Sequence, residues 1–431
     1  LRADFCGNGA LPPCAALGHR VSAMAAAVRV PALTQRLPAS EMAGVVGAAL
    51  IGGLAWSGAP GVLGLALLAP WVILSGRSRG AVAARALAYF AAATWPIVPS
   101  AAVFFGEGGS TVRLLTASMG GWILIAAANS VPWVLFSPQR GAGRVASLLL
   151  GLLLPALPPL ALIGLASPLA GVGLLLPSTG LAGCVAYVLA GVVWFGSPRV
   201  YVRASAAIGL MGIAAIAQTA TAPNGASDPH WQAVSTAVGG PLAETRSPPD
   251  ATAIEQLRIT MGRSSSENVV LPESYFGAWS AATDAFLEPL WRRLAKDGRS
   301  VTFGAQRLNA ATGQTDNLVL VRGAFRDELS QHYPVPLSMY RFGAAGSVPM
   351  RWRGSYVLQV GREHPAVLIC WEQLLLAPML AVMLESPRPT RLIAASNLYF
   401  ARGTPVARIQ RASVAAWARL LGVPFVYAIN E

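Results

Sequence analysis

Val367-Leu368-Ile369-Cys370-Trp371-Glu372 is an apolar run that stops on a thiol and a carboxylate. Ala366–Cys370 reads as a buried strand and Glu372–Leu384 as the helix that follows it. A cysteine at such a junction is placed for nucleophilic work, because a helix N-terminus favours the thiolate and offers N–H groups to an oxyanion. The other fate open to it is that of a buried apolar side chain, the commoner one for a free cysteine. Cys370 is the single cysteine after residue 222, and the nearest other one, Cys184, falls in an apolar helix. Its own half of the chain therefore offers it no disulfide partner.

Outward from Cys370 the pattern alternates. Leu392–Ser396, Val406–Leu420 and Phe425–Ile429 read as strand, helix and strand. Upstream, Trp231–Val238, Asn268–Leu271, Val301–Gln306, Asn317–Val321 and Tyr356–Val360 read as strands, and Asp250–Gly262 and Ala281–Lys296 as helices. The alternation predicts an α/β sandwich or a doubly wound sheet, with active groups at strand ends. A second strand end carries chemistry. In Val269-Val270-Leu271-Pro272-Glu273 the proline fixes the turn and sets Glu273 at the sheet edge. Glu273 is there either a proton-transfer group or an ordinary loop carboxylate that caps the next segment.

The half before Pro223 differs in kind. Charged residues make up 12% of the chain and hydrophobic ones 54%, against roughly a quarter charged in soluble domains. The shortage is concentrated before Pro223, where the acidic residues are Asp4, Glu41 and Glu107. A spanning helix needs about 20 mostly apolar residues. Seven candidates are Met42–Ser57, Gly61–Ser75, Val82–Phe105, Leu114–Phe136, Val145–Ala166, Gly180–Phe195 and Ala204–Thr221, and Leu169–Pro177 is expected to be a shorter re-entrant or interfacial piece.

Arginines mark alternate loops. Arg20, Arg29 and Arg36 precede the first span, Arg77, Arg79 and Arg85 follow the second, Arg140 and Arg144 the fourth, and Arg199 and Arg203 the sixth. Ser57–Gly61, Gly106–Ser110 and the stretch after Ala166 carry none, and Arg113 is the one exception. The positive-inside bias then predicts a cytoplasmic N-terminus and a periplasmic C-terminal half. A buried helical bundle predicts no such alternation. The excess positive charge lies in short loops between apolar segments, so no direct nucleic-acid binding is expected. The resulting division is an extension over 1–41, a bundle of about seven transmembrane helices over 42–221, a linker over 222–230, and a periplasmic domain over 231–431. Leu1–Ala23 is expected to lie upstream of a start at Met24. It holds Cys6 and Cys14.

Together these motifs resemble the carbon–nitrogen hydrolase (nitrilase) superfamily, and most closely its membrane branch, which includes apolipoprotein N-acyltransferase. Leu271-Pro272-Glu273-Ser274 matches the branch's Pro-Glu strand end, and Leu368-Ile369-Cys370-Trp371-Glu372 its cysteine strand end. Ala394-Ala395-Ser396-Asn397 and Gln410-Arg411-Ala412-Ser413 match the next strand and helix. The resemblance spans Met42–Glu431. It implies an N-terminal α-helical transmembrane bundle plus a C-terminal four-layer (α-β-β-α) sandwich. It also implies Cys370 as nucleophile, Glu273 as general base and Glu372 as an orienting group.

The third member of the family set, a lysine before a Val-Pro pair, is missing. Val335-Pro336 is present, but the one lysine of the chain is Lys296, on an amphipathic helix. His332 is the candidate for the oxyanion role, with Arg341 behind it. The run Pro334-Val335-Pro336-Leu337-Ser338-Met339-Tyr340 is similar to members of this branch in plasmid conjugal transfer systems.

Two functions follow. One is a Cys-dependent amidase or N-acyltransferase acting on a lipid-linked or periplasmic acyl substrate. The other is a catalytically degenerate domain that docks or scaffolds other conjugation proteins. A transporter fits less well, since the spans lack paired charged residues. No metal spacing or phosphate loop appears, so no cofactor is expected. The expected partners are the lipid bilayer, the acyl substrate and conjugation proteins.

Overall fold

In the computed structural model the described residues are 38–104, 111–137, 141–219, 228–236 and 251–431. Cys6, Cys14, Arg20, Arg29, Arg36, Arg140 and most of the expected linker lie outside them.

The C-terminal part is built on two sheets. β1 (Trp231–Ala233), β2 (Asn268–Val270), β3 (Ser300–Asn309), β4 (Gln314–Gly323) and β5 (Asp327–Ser330) form the first, in that order. β1, β2 and β3 are mutually parallel, and β4 is antiparallel to both its neighbours. β6 (Pro365–Ile369), β7 (Arg391–Asn397) and β8 (Phe425–Asn430) form the second, all parallel. A parallel bridge between Thr236 and Asn430 links the two. β6 and β7 are buried along their whole length. A parallel strand covered on both faces reads as a continuous apolar run, which is why Val367-Leu368-Ile369 does not alternate.

Local sequence explains the helices. Ala281–Lys296 starts at Ser280, whose hydroxyl accepts from the Thr283 N–H, and it buries Leu287, Trp291 and Leu294 on one face. Val406–Leu421 buries Ile409, Gln410, Ser413, Val414, Trp417 and Leu420 at helical spacing and ends at Gly422, whose φ of 73° is left-handed. Burying Trp417 alone is worth about 3 kcal/mol.

Two expectations need correcting, and one strand was not expected. β5 was unread, because Asp327-Glu328-Leu329-Ser330 has a single apolar residue and owes its extended form to pairing with β4. Tyr356–Val360 is not a strand. It makes isolated bridges, Val357 with Ala366 and Val360 with Glu363, between Gly354 and Gly361, both at positive φ. The helix expected over Glu372–Leu384 is two pieces. A 3-10 turn, Cys370–Leu374, precedes the helix Leu376–Met383, and Leu375 between them is extended.

The apolar half forms helices at every expected span, but most are short. Val112–Val134 and Val200–Thr219 are long and apolar enough to cross a membrane. Arg79–Thr94 and Ile97–Phe104, bent by 50° where Pro96 interrupts them, make a third if they are one span. Ala39–Ala55, Val62–Leu74, Ala142–Ala156 and Leu181–Gly196 are apolar but shorter. Among the described residues the seven expected spans thus become two or three by length. At about 1.5 Å per residue the short helices fall below the roughly 30 Å of a hydrocarbon core.

Ser40–Glu431 packs as one unit. One core cluster runs from Leu63, Tyr89, Leu165 and Val172 to Leu368, Met379 and Trp417. The Trp371 indole N–H donates to Leu162 O at 2.9 Å. The N–H groups of Ser178 and Gly180 donate to Arg419 O and Leu420 O, both at 2.8 Å. Leu162 is therefore seated on the Cys370 turn, and the arginine-free stretch after Ala166 on helix Val406–Leu421.

Candidate active site

Cys370 sits where β6 breaks into the 3-10 turn. Its φ of 48° is left-handed, a strained conformation for a residue with a side chain. Strand, tight turn and helix together hold the thiol at the tip of the sheet, in a site where it is only 5% exposed. Glu273 reaches the same point from the other sheet, one residue past Pro272. The Glu273–Ser274 turn lies flat against β3 because the facing residue is Gly304, where any Cβ would overlap the Glu273 backbone.

The structure brings these two residues together: the Cys370 thiol and the Glu273 carboxylate are close enough for each to bear on the other's ionisation. Glu273 Oε1 accepts from Asn317 Nδ2 at 2.7 Å, and Oε2 from the Asn397 N–H at 2.9 Å. The Asn397 N–H and the Gln410 side chain also favour the thiolate of Cys370. Burial pushes the thiol well above its ordinary range, and the adjacent Glu273 charge pushes it further. Burial likewise raises the Glu273 carboxyl, against its hydrogen bonds from Asn317 and Asn397.

Glu372 holds the turn together. Its Oε1 accepts from the N–H groups of His332 at 2.7 Å and Tyr333 at 3.0 Å, and its Oε2 from the Ile369 N–H at 2.9 Å. It ties the segment after β5 to the end of β6. Burial moves its pKa up to about 7 in spite of those three donors.

His332 is brought near through its backbone. Its imidazole stacks on Tyr356, with centroids 4.1 Å apart, and its Nε2 faces Gly354. Among the described residues no hydrogen bond joins that ring to Cys370 or Glu273. Burial and the nearby Arg351 lower its pKa to about 4, so the ring is neutral at ordinary pH. Arg341 is exposed, and Lys296 lies in the last turn of helix Ala281–Lys296.

Sequence reasoning passed over several residues of the site. Gln331, in the segment before Val335-Pro336, donates from Nε2 to Ile369 O at 3.2 Å and accepts from Asn317 Nδ2 at 2.9 Å. A glutamine thus stands where a lysine was sought, and an amide carries no charge to search for. Gln410 Nε2 donates to Cys370 O at 3.2 Å, and Ser396 Oγ donates to Gln410 Oε1 at 3.0 Å. Gln373 Nε2 donates to Leu368 O at 3.0 Å and to Ser396 Oγ at 2.9 Å. Polar residues at buried positions of strand ends and of a helix's inner face were the available signal. Among the described residues no group of three or more His, Cys, Asp or Glu could hold a metal ion.

No family model matches the chain. It is 30% identical over 394 residues to the probable conjugal transfer protein TraB of Sinorhizobium fredii (strain NBRC 101917 / NGR234), covering 88% of this chain and 96% of that protein. It is 27% identical over 408 residues to the conjugal transfer protein TraB of Agrobacterium fabrum (strain C58 / ATCC 33970), covering 88% and 90%. Among solved structures, an amidase of the nitrilase superfamily from Nesterenkonia AN1 aligns over 46% of this chain and 74% of its own, at 13% identity and a TM-score of 0.32. A CN-hydrolase superfamily protein from Xanthomonas campestris aligns over 42% and 68%, at 16% identity and a TM-score of 0.29.

Proposed function

Because the chain belongs to the TraB family of conjugal transfer proteins, we propose that it is a membrane-anchored, Cys-dependent amidase or acyltransferase of the carbon–nitrogen hydrolase type that serves plasmid conjugal transfer. The observation that carries this is that the buried Cys370 thiol and the buried Glu273 carboxylate, from the ends of strands in two different sheets, come together at one point. Burial raises both groups, which disfavours a free thiolate, so attack is coupled to transfer of the thiol proton to the carboxylate. Cys370 Sγ adds to the carbonyl carbon of an acyl substrate as Glu273 takes the thiol proton. The Asn397 N–H and the Gln410 side chain favour negative charge on the sulfur and, in this reading, receive the developing oxyanion. The bond to the leaving group breaks, and Glu273 returns the proton to it. Water or an amine then adds to the thioester and loses its proton to Glu273, the acyl group departs, and the thiol is restored.

The substrate is lipid-linked or periplasmic. A small apolar cleft opens between the apolar helices and the C-terminal part, lined by Trp56, Ile97, Leu165, Leu374, Val406 and Ile409 among others. Leu374 ends the turn that Cys370 starts, and Ile409 precedes Gln410. An acyl chain entering from the membrane would run toward the thiol along this wall.

The architecture belongs to the same proposal: a helical bundle over 42–221, in the inner membrane, and a periplasmic four-layer domain over 231–431. Two observations support the orientation. Glu41 accepts from the Arg77 N–H at 3.1 Å and pairs with Arg85 at 2.6 Å, and Arg79 Nε reaches Ser137 O at 2.6 Å, so basic loops gather at one end of the helices. At the other end, Leu162 and the arginine-free stretch after Ala166 hold the C-terminal part.

A scaffold that has lost catalysis is the second reading, favoured by the small exposure of Cys370 and by the lack, among the described residues, of a cation paired with Glu273. Cys370→Ala separates the two. The expected result is loss of conjugal transfer, with the variant protein accumulating to the parental level. Normal transfer with this variant would select the scaffold.

A further inference from the structure

Two buried amides lie between Glu273 and the end of β6. Asn317 on β4 is 0% exposed, and Gln331, directly after β5, is 1% exposed. Asn317 Nδ2 spends both hydrogens, one on Glu273 Oε1 at 2.7 Å and one on Gln331 Oε1 at 2.9 Å. Gln331 Nε2 donates to the Ile369 carbonyl at 3.2 Å, the peptide before Cys370. A backbone bond, Gln331 N–H to Asn317 O at 2.8 Å, fixes the two segments together.

The network dictates both orientations. Turning the Gln331 amide over would set its NH₂ against that of Asn317 and its oxygen against the Ile369 carbonyl. Turning Asn317 would set an oxygen against the carboxylate. Resting on Cys370 and Glu273 as the reacting groups, we propose that Asn317 and Gln331 are positioning residues. They form a neutral amide relay that aims Glu273 at the thiol and clamps the strand end carrying Cys370, in the place where a cation would otherwise sit.

The relay has an electrostatic consequence. The ionisable groups that bear on the pair from neighbouring elements are Glu372 on the 3-10 turn and Tyr427 on β8, and Tyr427 in turn feels Glu431 and Arg411. Among the described residues no lysine or arginine bears on Cys370 or Glu273 directly. The thiol therefore gives up its proton only as Glu273 accepts it. A lysine at position 331 would change that, since a cation within about 4–6 Å lowers the pKa of an acid by roughly 1–3 units.

The test is a pH titration of thiolate absorbance on the full-length protein in detergent, with Cys6, Cys14 and Cys184 replaced by serine. The signal of Cys370 is read as the difference from the matching Cys370→Ala protein. Gln331→Lys is expected to lower the apparent midpoint by about one pH unit or more. Asn317→Asp, nearly isosteric with the parent, is expected to raise it by placing a second carboxylate on Glu273. A purely structural role would not move the midpoint in opposite directions. Unmoved midpoints overturn the proposal. If a buried lysine unfolds the chain, an unmoved midpoint in Asn317→Asp overturns it alone.

The titration needs no substrate. Shifted midpoints in a protein that turns over no acyl compound keep the relay and reject the enzyme. Unmoved midpoints in an active protein do the reverse.

Discussion

The backbone N–H of Asn397, the last residue of β7, donates to Glu273 Oε2 at 2.9 Å, across 124 residues of sequence. A carboxylate that follows β2 in one sheet is thus held by a peptide group of the other, and Glu273 can face Cys370 only when the two sheets are packed. Because the donor is a peptide group, Asn397→Ala keeps it. That variant loses only the hydrogen bond from Asn430 Nδ2 to Asn397 Oδ1, worth about 1 kcal/mol, and activity should survive. Glu273→Gln keeps an acceptor for Asn397 but cannot take a proton. Turnover of an acyl substrate should fall by roughly 10²–10⁴-fold, measured on protein with a parental melting temperature.

His332 and Glu372 are bonded to each other and titrate in opposite senses. Glu372, raised by burial from 4.5 to about 7, stabilises the fold fully below pH 4.5, and that contribution is lost as pH rises through 7. His332, lowered by burial from 6.5 to about 4, contributes above pH 6.5, and its share is lost as pH falls toward 4. Each is worth about 3 kcal/mol at most, so in the parent protein the two slopes largely cancel. Melting temperatures between pH 4.5 and 7 should show this. His332→Gln is expected to leave stability that falls with rising pH, and Glu372→Gln stability that rises. Parallel profiles in the two variants would contradict the assignment.

Gly173 is where the short helix Val172–Leu175 touches Val406–Leu421, and a Cβ there would overlap the Ala416 carbonyl. Gly173→Val should destabilise by about 2–3 kcal/mol and loosen the seating of the apolar helices, read as faster proteolysis. Gly64→Ala is the control, because its added Cβ would meet Leu174 Cδ1 at an ordinary 3.7 Å. Equal proteolysis of the two variants would show that the contact carries no strain.

The orientation is tested by single cysteines at Pro60, Arg77 and Arg388 in a cysteine-free background. A membrane-impermeant maleimide added to intact spheroplasts should label positions 60 and 388 and spare 77. Labelling of 77 alone would invert the topology.

The two strand ends were legible because each ends a short apolar run on a polar group, and covered parallel strands are built from such runs. Cys370, Glu273 and Glu372 could be named on those grounds. Asn317 and Gln331 could not. Asn317 lies inside β4 and Gln331 one residue past β5, and a neutral amide in a sequence looks like any exposed one. β5 was missed for a related reason, since its strand form is supplied by its partner and not by its own residues. Val82–Phe105 and Val145–Ala166 were each read as one continuous span because hydropathy counts apolar residues without seeing where Pro interrupts a helix, here at Pro96 and after Ala156.

By itself the sequence determined the apolar half, the α/β alternation, the resemblance to the carbon–nitrogen hydrolases and the two strand-end residues, Cys370 and Glu273, that the fold brings together. These depend on local composition and period, which a linear chain displays. Tertiary structure alone decided that Glu273 is held by a peptide 124 residues away, that His332 turns its ring onto Tyr356, and that the buried amides of Asn317 and Gln331 join Glu273 to the end of β6. Those are contacts between segments far apart in sequence, and no local pattern encodes a hydrogen bond that exists only after two sheets have packed.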